Sequence, residues 1–440
     1  MASAAEQLAS NISLSSFGKA KELKQRIFFA LGALIVFRLC SYIPLPGINA
    51  TALANMFASF GGGIVEINTF SGGALQRMSI ITLGIMPYIS ASIIMQLLTT
   101  MNSTLAQWKK EGEQGRRKIN QLTRYGTVVL TIVQGWAVAT GLEGQSGVVV
   151  DPGMFFRITT VVTLVGGTMF LMWLGEQITQ RGIGNGISLI IFAGIVAELP
   201  GTLAQAFQLN RAGSMSVTVL LLMLVGAAAL VYFIVFCERA QRRVVIQYPK
   251  RQQQGGAYQG DKSHLPLKLN VAGVIPPIFA SSLLLMPLSI ASFSQAEWMT
   301  NVTALLGPGK PLYIALYVGL IVFFCFFYTA IQFNPEETAD NLKKNSGFVP
   351  GIRPGQRTAE YLDYVLTRLT VIGSAYISLV CVIPEFLISQ AAVPFYLGGT
   401  SLLIVVNVTM DTVTQIQSHL MAQQYESLLK KTRLKGGRRR

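Results

Sequence analysis

The chain has 440 residues, 51% of them hydrophobic and only 12% charged, with a mean hydropathy of +0.48 and a net charge of +15. A soluble domain carries about 25% charged residues, so the composition excludes one and points to a membrane protein. The positive charge is unevenly placed, and its placement gives an orientation.

The first 26 residues lack the short apolar core and small-residue cleavage site of a removed signal peptide. Lys19, Lys21, Lys24 and Arg26 precede the first apolar run, which therefore reads as a retained helix. Ten apolar runs follow, at about Ile27–Ile43, Met78–Thr99, Thr127–Gly141, Phe155–Trp173, Ile183–Ala197, Val217–Phe236, Val271–Ser292, Leu312–Phe333, Leu369–Leu387 and Val393–Met410. A span needs roughly 20 mostly apolar residues, so the shorter runs borrow flanking residues or tilt. Of the 35 Lys and Arg, 30 lie before the first run, after the last, or in the alternate connections 100–126, 174–182, 237–270 and 334–368. Arg77, Arg157, Arg211 and Lys310 fall on the opposite side, and Arg38 lies inside the first run. The positive-inside rule then places both termini in the cytoplasm.

The first outer connection, Pro44–Arg77, is long. It contains Gly61-Gly62-Gly63, the short run Ile64-Val65-Glu66-Ile67-Asn68-Thr69-Phe70, and Gly72-Gly73. The run is too short to span and too apolar for an ordinary loop. Flanking glycines suit a short helix that moves. It reads either as an outer loop on the membrane surface or as a re-entrant element in a protein-lined cavity.

The cytoplasmic connections 237–270 and 334–368 are much longer than two helices need. Basic residues alternate there with Gly, Pro and strand-like stretches such as Val244-Val245-Ile246, the pattern of docking surfaces. The basic tail 430–440 is also suited to contact with anionic lipids. Cys40, Cys237, Cys325 and Cys381 lie in or beside apolar runs without CxxC pairing and read as small buried hydrophobes.

No catalytic device is legible. His264 and His419 are the two histidines, and neither HExxH nor GxSxG occurs. Asp261 separates Gly260 from Lys262 and breaks the only approach to a phosphate loop. Energy-driven work must therefore draw its energy from a partner. An ion-coupled secondary transporter, the rival reading, normally carries carboxylates or histidines at mid-membrane, and the centres of these runs have none. Glu176 and Asp411 lie at cytoplasmic ends. The apolar runs offer isoleucine, glycine and neutral polar groups (Gln96, Ser188, Ser281, Ser282, Asn407), a lining for a bulky, chemically varied solute.

Several long stretches carry a family likeness. They include VFRLCSYIPLPGIN (36–49), FSGGALQRMSIITLGIMPYISASIIMQLL (70–98), KKEGEQGRRKINQLTRYGT (109–127), GTMFLMWLGEQITQRGIGNGISLIIFAGI (167–195), HLPLKLNVAGVIPPIFASS (264–282), NPEETADNLKK (334–344), GFVPGIRPG (347–355) and PFYLGGTSLLIVV (394–406). Over essentially its whole length the chain resembles the SecY family, channel subunits of the bacterial protein-secretion translocon.

The resemblance implies an all-α membrane protein of ten transmembrane helices in two pseudo-symmetric halves around an hourglass pore, with cytoplasmic termini. The halves would be 27–210, with helices 1–5, and 211–412, with helices 6–10. A cytoplasmic segment 1–26 would precede them and a basic tail 413–440 follow. The constriction would be a ring of Ile85, Ile89, Ile187, Ile191, Ile278 and Ile404. Branched apolar side chains close a pore by dewetting it, and they yield to any passing side chain because apolar contact is not directional. Residues 61–73 would be the plug beneath that ring. Ser90, Gln96 and Ser282 would line a lateral gate toward lipid.

Arg353, with Arg242, Arg243, Lys250 and Arg251, would dock the ribosome or the ATPase SecA. SecE and SecG would be membrane partners, and secretory preproteins with signal sequences the substrates. The resemblance implies no cofactor, no metal and no catalytic residue, and a bacterial plasma membrane location. One departure is Gly255-Gly256 at the tip of the first cytoplasmic loop, where some relatives carry arginines that pair with phosphate.

Overall fold

The computed structural model describes residues 21–49, 51–53, 71–145, 147–213, 216–248, 262–292, 310–391 and 398–436. In chain order these form α1 (Lys21–Cys40), α2 (Met86–Met101), α3 (Ser103–Lys110), α4 (Glu113–Glu143), α5 (Met154–Arg181), α6 (Gly186–Arg211), α7 (Val217–Arg239), strands β1 (Gln241–Gln247) and β2 (Lys262–Lys268), α8 (Ile275–Ser292), α9 (Pro311–Gln332), α10 (Pro335–Lys344), α11 (Gln356–Ala391) and α12 (Gly399–Gly436). Among the described residues the hairpin β1–β2 is the one sheet of an otherwise helical chain.

The helices are built for lipid. On α4 the buried stripe is polar or small: Thr123, Thr127, Thr131, Gln134 and Gly135. Each of the three threonines returns its hydroxyl to the carbonyl four residues earlier. The opposite face, Val129, Ile132, Val133 and Trp136, is exposed. A soluble helix would reverse this pattern. In hydrocarbon there is no hydrophobic force between helices, so small residues and hydroxyls make the contacts. Exposed Leu221, Leu222, Val225, Tyr232 and Phe236 on α7 repeat the point. Among the described residues six helices are long and apolar enough to cross a membrane: α4, α5, α6, α7, α9 and α11.

The chain divides into two compact units. The first takes in Met1–Gly201, Ser289–Ala296 and Val408–Arg440. Its core includes a cluster of Leu45, Met78, Leu142, Phe156 and Leu164, where α4 ends and α5 begins. A second cluster joins Leu23 of α1, Ile183 and Leu420 of α12.

The second unit takes in Thr202–Leu288 and Glu297–Asn407. There Phe279 of α8 meets Phe324 of α9 edge to face at 5.7 Å, and Phe233 of α7 meets Tyr376 of α11 at 5.9 Å. The backbone of Gly399 lies against the Val380 carbonyl, where no larger residue fits. Cys237, Cys325 and Cys381 are buried thiols, as expected, and Cys40 is half-buried.

Each of the ten apolar runs overlaps a helix, with boundary corrections. The second run, Met78–Thr99, is helical only from Met86. Residues 72–85 are turns apart from a single bridge between Ser79 and Pro44, and the left-handed φ of +56° at Gly84 interrupts the backbone just before the helix. Their peptide groups bond to protein: Leu45 N–H to the Met78 carbonyl, Ile80 N–H to the Ile43 carbonyl. Irregular backbone at membrane depth survives when it is buried this way. Met78, Ser79, Ile81 and Thr82 are each at most 1% exposed.

The fifth run continues in α6 to Arg211, so Glu198 and Arg211 are helical rather than in a loop. The ninth run lies within a helix that begins at Gln356, and the run itself contains Glu385 near its end. In the tail, α12 extends to Gly436.

Sidedness has a direct test. A cysteine replacing Ser146 in a cysteine-free variant is expected to react with an impermeant thiol reagent added outside the cell, and one replacing Gln254 is not. Reversed labelling overturns the charge-based orientation.

A polar knot closes the second unit where α7, the hairpin and α8 meet. Glu238 and Asn270 are 7% and 5% exposed. Asn270 Nδ2 donates to Glu238 Oε1 at 2.7 Å and to the Gly273 carbonyl at 3.0 Å, and the Gly273 N–H donates back to Asn270 Oδ1 at 3.0 Å. The Tyr376 hydroxyl donates to the same carboxylate oxygen at 3.4 Å. Leucine at 270 removes the donor to Glu238 and both Gly273 contacts. A buried unsatisfied group costs about 1–3 kcal/mol, more when charged. Asn270→Leu is therefore expected to lower the thermal midpoint of the purified protein by several degrees, with Asn270→Gln intermediate.

Candidate pore, gate and docking platform

Helix geometry pairs the candidate pore residues before any tertiary contact is considered. Ile85 and Ile89 are four apart at the start of α2, and Ile187 and Ile191 are four apart at the start of α6. Four residues is close to one turn, so each helix presents two isoleucines on one face. Pro87 in the first turn of α2 suits a helix start. Ile85, Ile89 and Ile191 are 6%, 7% and 5% exposed, and Ile187 is half-buried. These four belong to the first unit. Ile278 on α8 and Ile404 on α12, 8% and 0% exposed, belong to the second.

Of the gate candidates, Ser90 and Ser282 are buried at 8% and 3% exposure. Gln96 is half-buried, yet its Oε1 is shielded and receives no hydrogen bond. Buried amide oxygens normally have a donor.

Of the plug candidates, residues 61–70 lie outside the described residues. Gly72 and Gly73 are described, and they are seated rather than loose. Both have left-handed φ, +66° and +78°. A Cβ on Gly72 would come within 2.9 Å of the Gly194 Cα of α6, and one on Gly73 would strike the Glu198 carboxylate. Arg38 Nη1 donates to the Gly72 carbonyl, and Arg38 Nη2 is 3.9 Å from Glu198 Oε1. Sequence reasoning missed this pair. Its signal was present: a lone arginine in an apolar run, and a glutamate one residue beyond another.

The two long connections, 237–270 and 334–368, read separately from the sequence, form one body. β1 and β2 pair antiparallel with Val244 opposite Leu265 and Arg242 opposite Leu267. Val244 and Ile246 share the inward face, 5% and 3% exposed; Arg243 falls on the other face, and Arg242, near the start of the strand on the Val244 face, is exposed as well. Val244 and Leu267 pack with Val349, Leu362, Val365 and Leu366 of the second connection. Gln247 and Phe348 exchange backbone hydrogen bonds of 2.9 and 3.0 Å, which extends the hairpin by one bridge.

Helix α10 within that connection is well specified. Asn334 accepts from the N–H groups of Glu336 and Glu337, Pro335 opens the first turn, and Lys343 and Lys344 close the last. Arg353 stands exposed between Gly351 and Gly355, while its carbonyl accepts from the Thr358 hydroxyl at 2.9 Å. Lys250, Arg251 and Gly255-Gly256 lie outside the described residues.

Among the described residues no three His, Cys, Asp or Glu side chains gather to hold a metal ion. Lipid-facing helices, irregular backbone packed inside the protein and a basic loop platform define a multi-pass membrane protein, and its fold is that of known channels. The chain superposes on a solved protein-conducting channel with a TM-score of 0.59 at 17% identity, covering 90% of this chain and 92% of that one. It matches canine Sec61 from a ribosome–channel complex of the endoplasmic reticulum with a TM-score of 0.60 at 18% identity, covering 90% and 92%.

In sequence, the SecY family model matches residues 79–413. The chain is 58% identical over 430 residues to the Protein translocase subunit SecY of Escherichia coli K12, covering 96% of this chain and 97% of that one. It is 55% identical over 430 residues to that of Pseudomonas aeruginosa, covering 97% of each. The chain belongs to the SecY family, and it is a multi-pass protein of the bacterial inner membrane.

Proposed function

We propose that this chain is the pore-forming subunit of a protein-conducting channel. It passes unfolded secretory polypeptides across the bacterial plasma membrane and releases hydrophobic segments sideways into lipid. Near-full-length identity of 58% to a protein translocase subunit carries the reading. The six isoleucines form the constriction, 61–73 is the plug, and Ser90, Gln96 and Ser282 line the lateral gate. Support for a plug comes from a related SecY structure, 19% identical, whose plug domain is described as stabilising the closed state and maintaining a membrane seal.

The chain supplies the path and does no chemistry of its own. SecA hydrolyses ATP, or the ribosome feeds the chain, and both meet the basic platform of Arg242, Arg243 and Arg353 with Lys250 and Arg251. Likeness to Sec61 in ribosome–channel complexes supports the ribosome as a partner. SecE and SecG complete the membrane complex, and anionic lipids meet the basic loops and tail.

The deciding experiment is transport into proteoliposomes holding the purified complex. With SecA, ATP and a secretory precursor, protease-protected precursor is expected to accumulate. Without the signal sequence or ATP it is not. Ion-gradient-driven flux of a small solute, with no precursor movement, would instead support a secondary transporter.

A further inference from the structure

We propose that Arg38 and Glu198 form a latch that fixes the C-terminal root of the plug segment to α6; the inference rests on residues 61–73 being the plug.

Arg38 is the one charge in the apolar stretch from Ile27 to Cys40 that ends its helix. A charged side chain is costly near a bilayer, so its retention calls for a partner. It has several. Nη1 bonds the Gly72 carbonyl, Nη2 is 3.2 Å from the Tyr42 hydroxyl, and Glu198 is at ion-pair distance. Arg38 and Glu198 side chains are 28% and 22% exposed, so solvent screens the pair only in part. Arg77 lies over the Tyr42 ring at 4.3 Å and adds a second cation beside Gly73.

The floor of the latch is α6. Gly194 and Glu198 are four apart on one face, the first beneath Gly72 and the second beneath Gly73. Ser71 is 5% exposed, and its hydroxyl accepts from the Leu75 N–H at 3.3 Å, which holds the turn from the other side. The root of the plug is thus fixed to the helix that carries Ile187 and Ile191. Movement of the plug away from this helix must break a charge-assisted hydrogen bond, with an acceptor that two left-handed glycines aim at the guanidinium. Arg38 and Glu198 are positioning residues: they touch the plug root and not the passing polypeptide.

The test measures idle ion conductance of the purified complex in planar bilayers, without SecA or precursor. Parent, Arg38→Gln, Arg38→Lys and Glu198→Gln are compared, each with and without deletion of Ile64–Thr69. Thermal unfolding of every complex reports folding, and Glu198→Gln keeps side-chain volume should Arg38→Gln fail. Loss of one charge-assisted hydrogen bond is expected to raise idle conductance about tenfold. Arg38→Lys, which keeps the charge and loses the fork, falls between.

In the deletion background the same substitutions are expected to add nothing, because the plug that the anchored root would hold is gone. Conductance that rises equally in both backgrounds overturns the latch, since a purely structural role does not depend on the plug. Folded variants as tight as the parent, beside a leaky deletion, overturn the latch and leave the plug standing. A deletion that is itself tight removes the plug reading and the latch together.

Discussion

Replacing Ile89, Ile191 and Ile278 together by asparagine is expected to raise the resting ion conductance of the reconstituted channel by at least about tenfold, while leucine at the same positions changes little. The three residues are 7%, 5% and 8% exposed and stand on α2, α6 and α8. Burial is what a shut constriction requires, and it is equally what ordinary helix packing requires. The two differ in what an amide does. In a dry gap three amides bring hydrogen-bonding sites that hold water, the gap wets, and the barrier to ions falls. In a packed interface the same amides lose their hydration without gaining partners and lower stability instead. Leucine keeps volume and apolarity and is tolerated in both cases. Planar-bilayer conductance and a thermal melt of the same preparation separate the outcomes. An asparagine triple variant that is destabilised but tight makes these isoleucines packing residues and removes them from the pore.

What the sequence showed and what it hid follow from the range of the forces involved. Long apolar runs are the plainest signal in the sequence, and each of the ten overlaps a helix among the described residues. Their ends were less legible. Residues 78–85 are apolar enough to extend a helix, and local turn hydrogen bonds, tertiary ones to Ile43 and Leu45, and the left-handed Met78 and Gly84 hold them in turns. Apolarity cannot distinguish a residue facing lipid from one buried in irregular backbone. At the other extreme α11 begins among polar residues at Gln356, because Leu362, Val365 and Leu366 find an apolar cover in the hairpin.

The same limit applies to the sites. Arg353 and the hairpin arginines were visible as charge among turn residues. Their union was not, since it depends on a backbone bridge between Gln247 and Phe348, 101 positions apart. Arg38 was visible as an anomaly. Its partners, Gly72 and Glu198, come from two other segments, and no periodicity links them.

Arg353→Glu is expected to reduce SecA-driven export about tenfold or more while leaving the protein folded and inserted. The Arg353 carbonyl is held by Thr358, which is 2% exposed, and Val349 and Ile352 anchor the turn in the cluster beneath the hairpin. The side chain itself is exposed, so its replacement leaves no cavity and no buried unpaired group. What changes is the field of the platform. Arg242 and Arg243 stand on a hairpin bonded to the same turn, so a glutamate at 353 faces an acidic or phosphate-bearing partner from within a positive surface. Reversing a contact costs more than losing it, because attraction becomes repulsion. Arg353→Ala is therefore expected to fall between parent and Glu. The Glu defect is expected to diminish at higher salt, since exposed charges are screened within about 8 Å at physiological ionic strength. Initial rates of precursor protection in proteoliposomes across a salt series provide the measurement, with SecA co-sedimentation beside them. Normal export by a normally inserted Arg353→Glu variant removes this arginine from the docking surface.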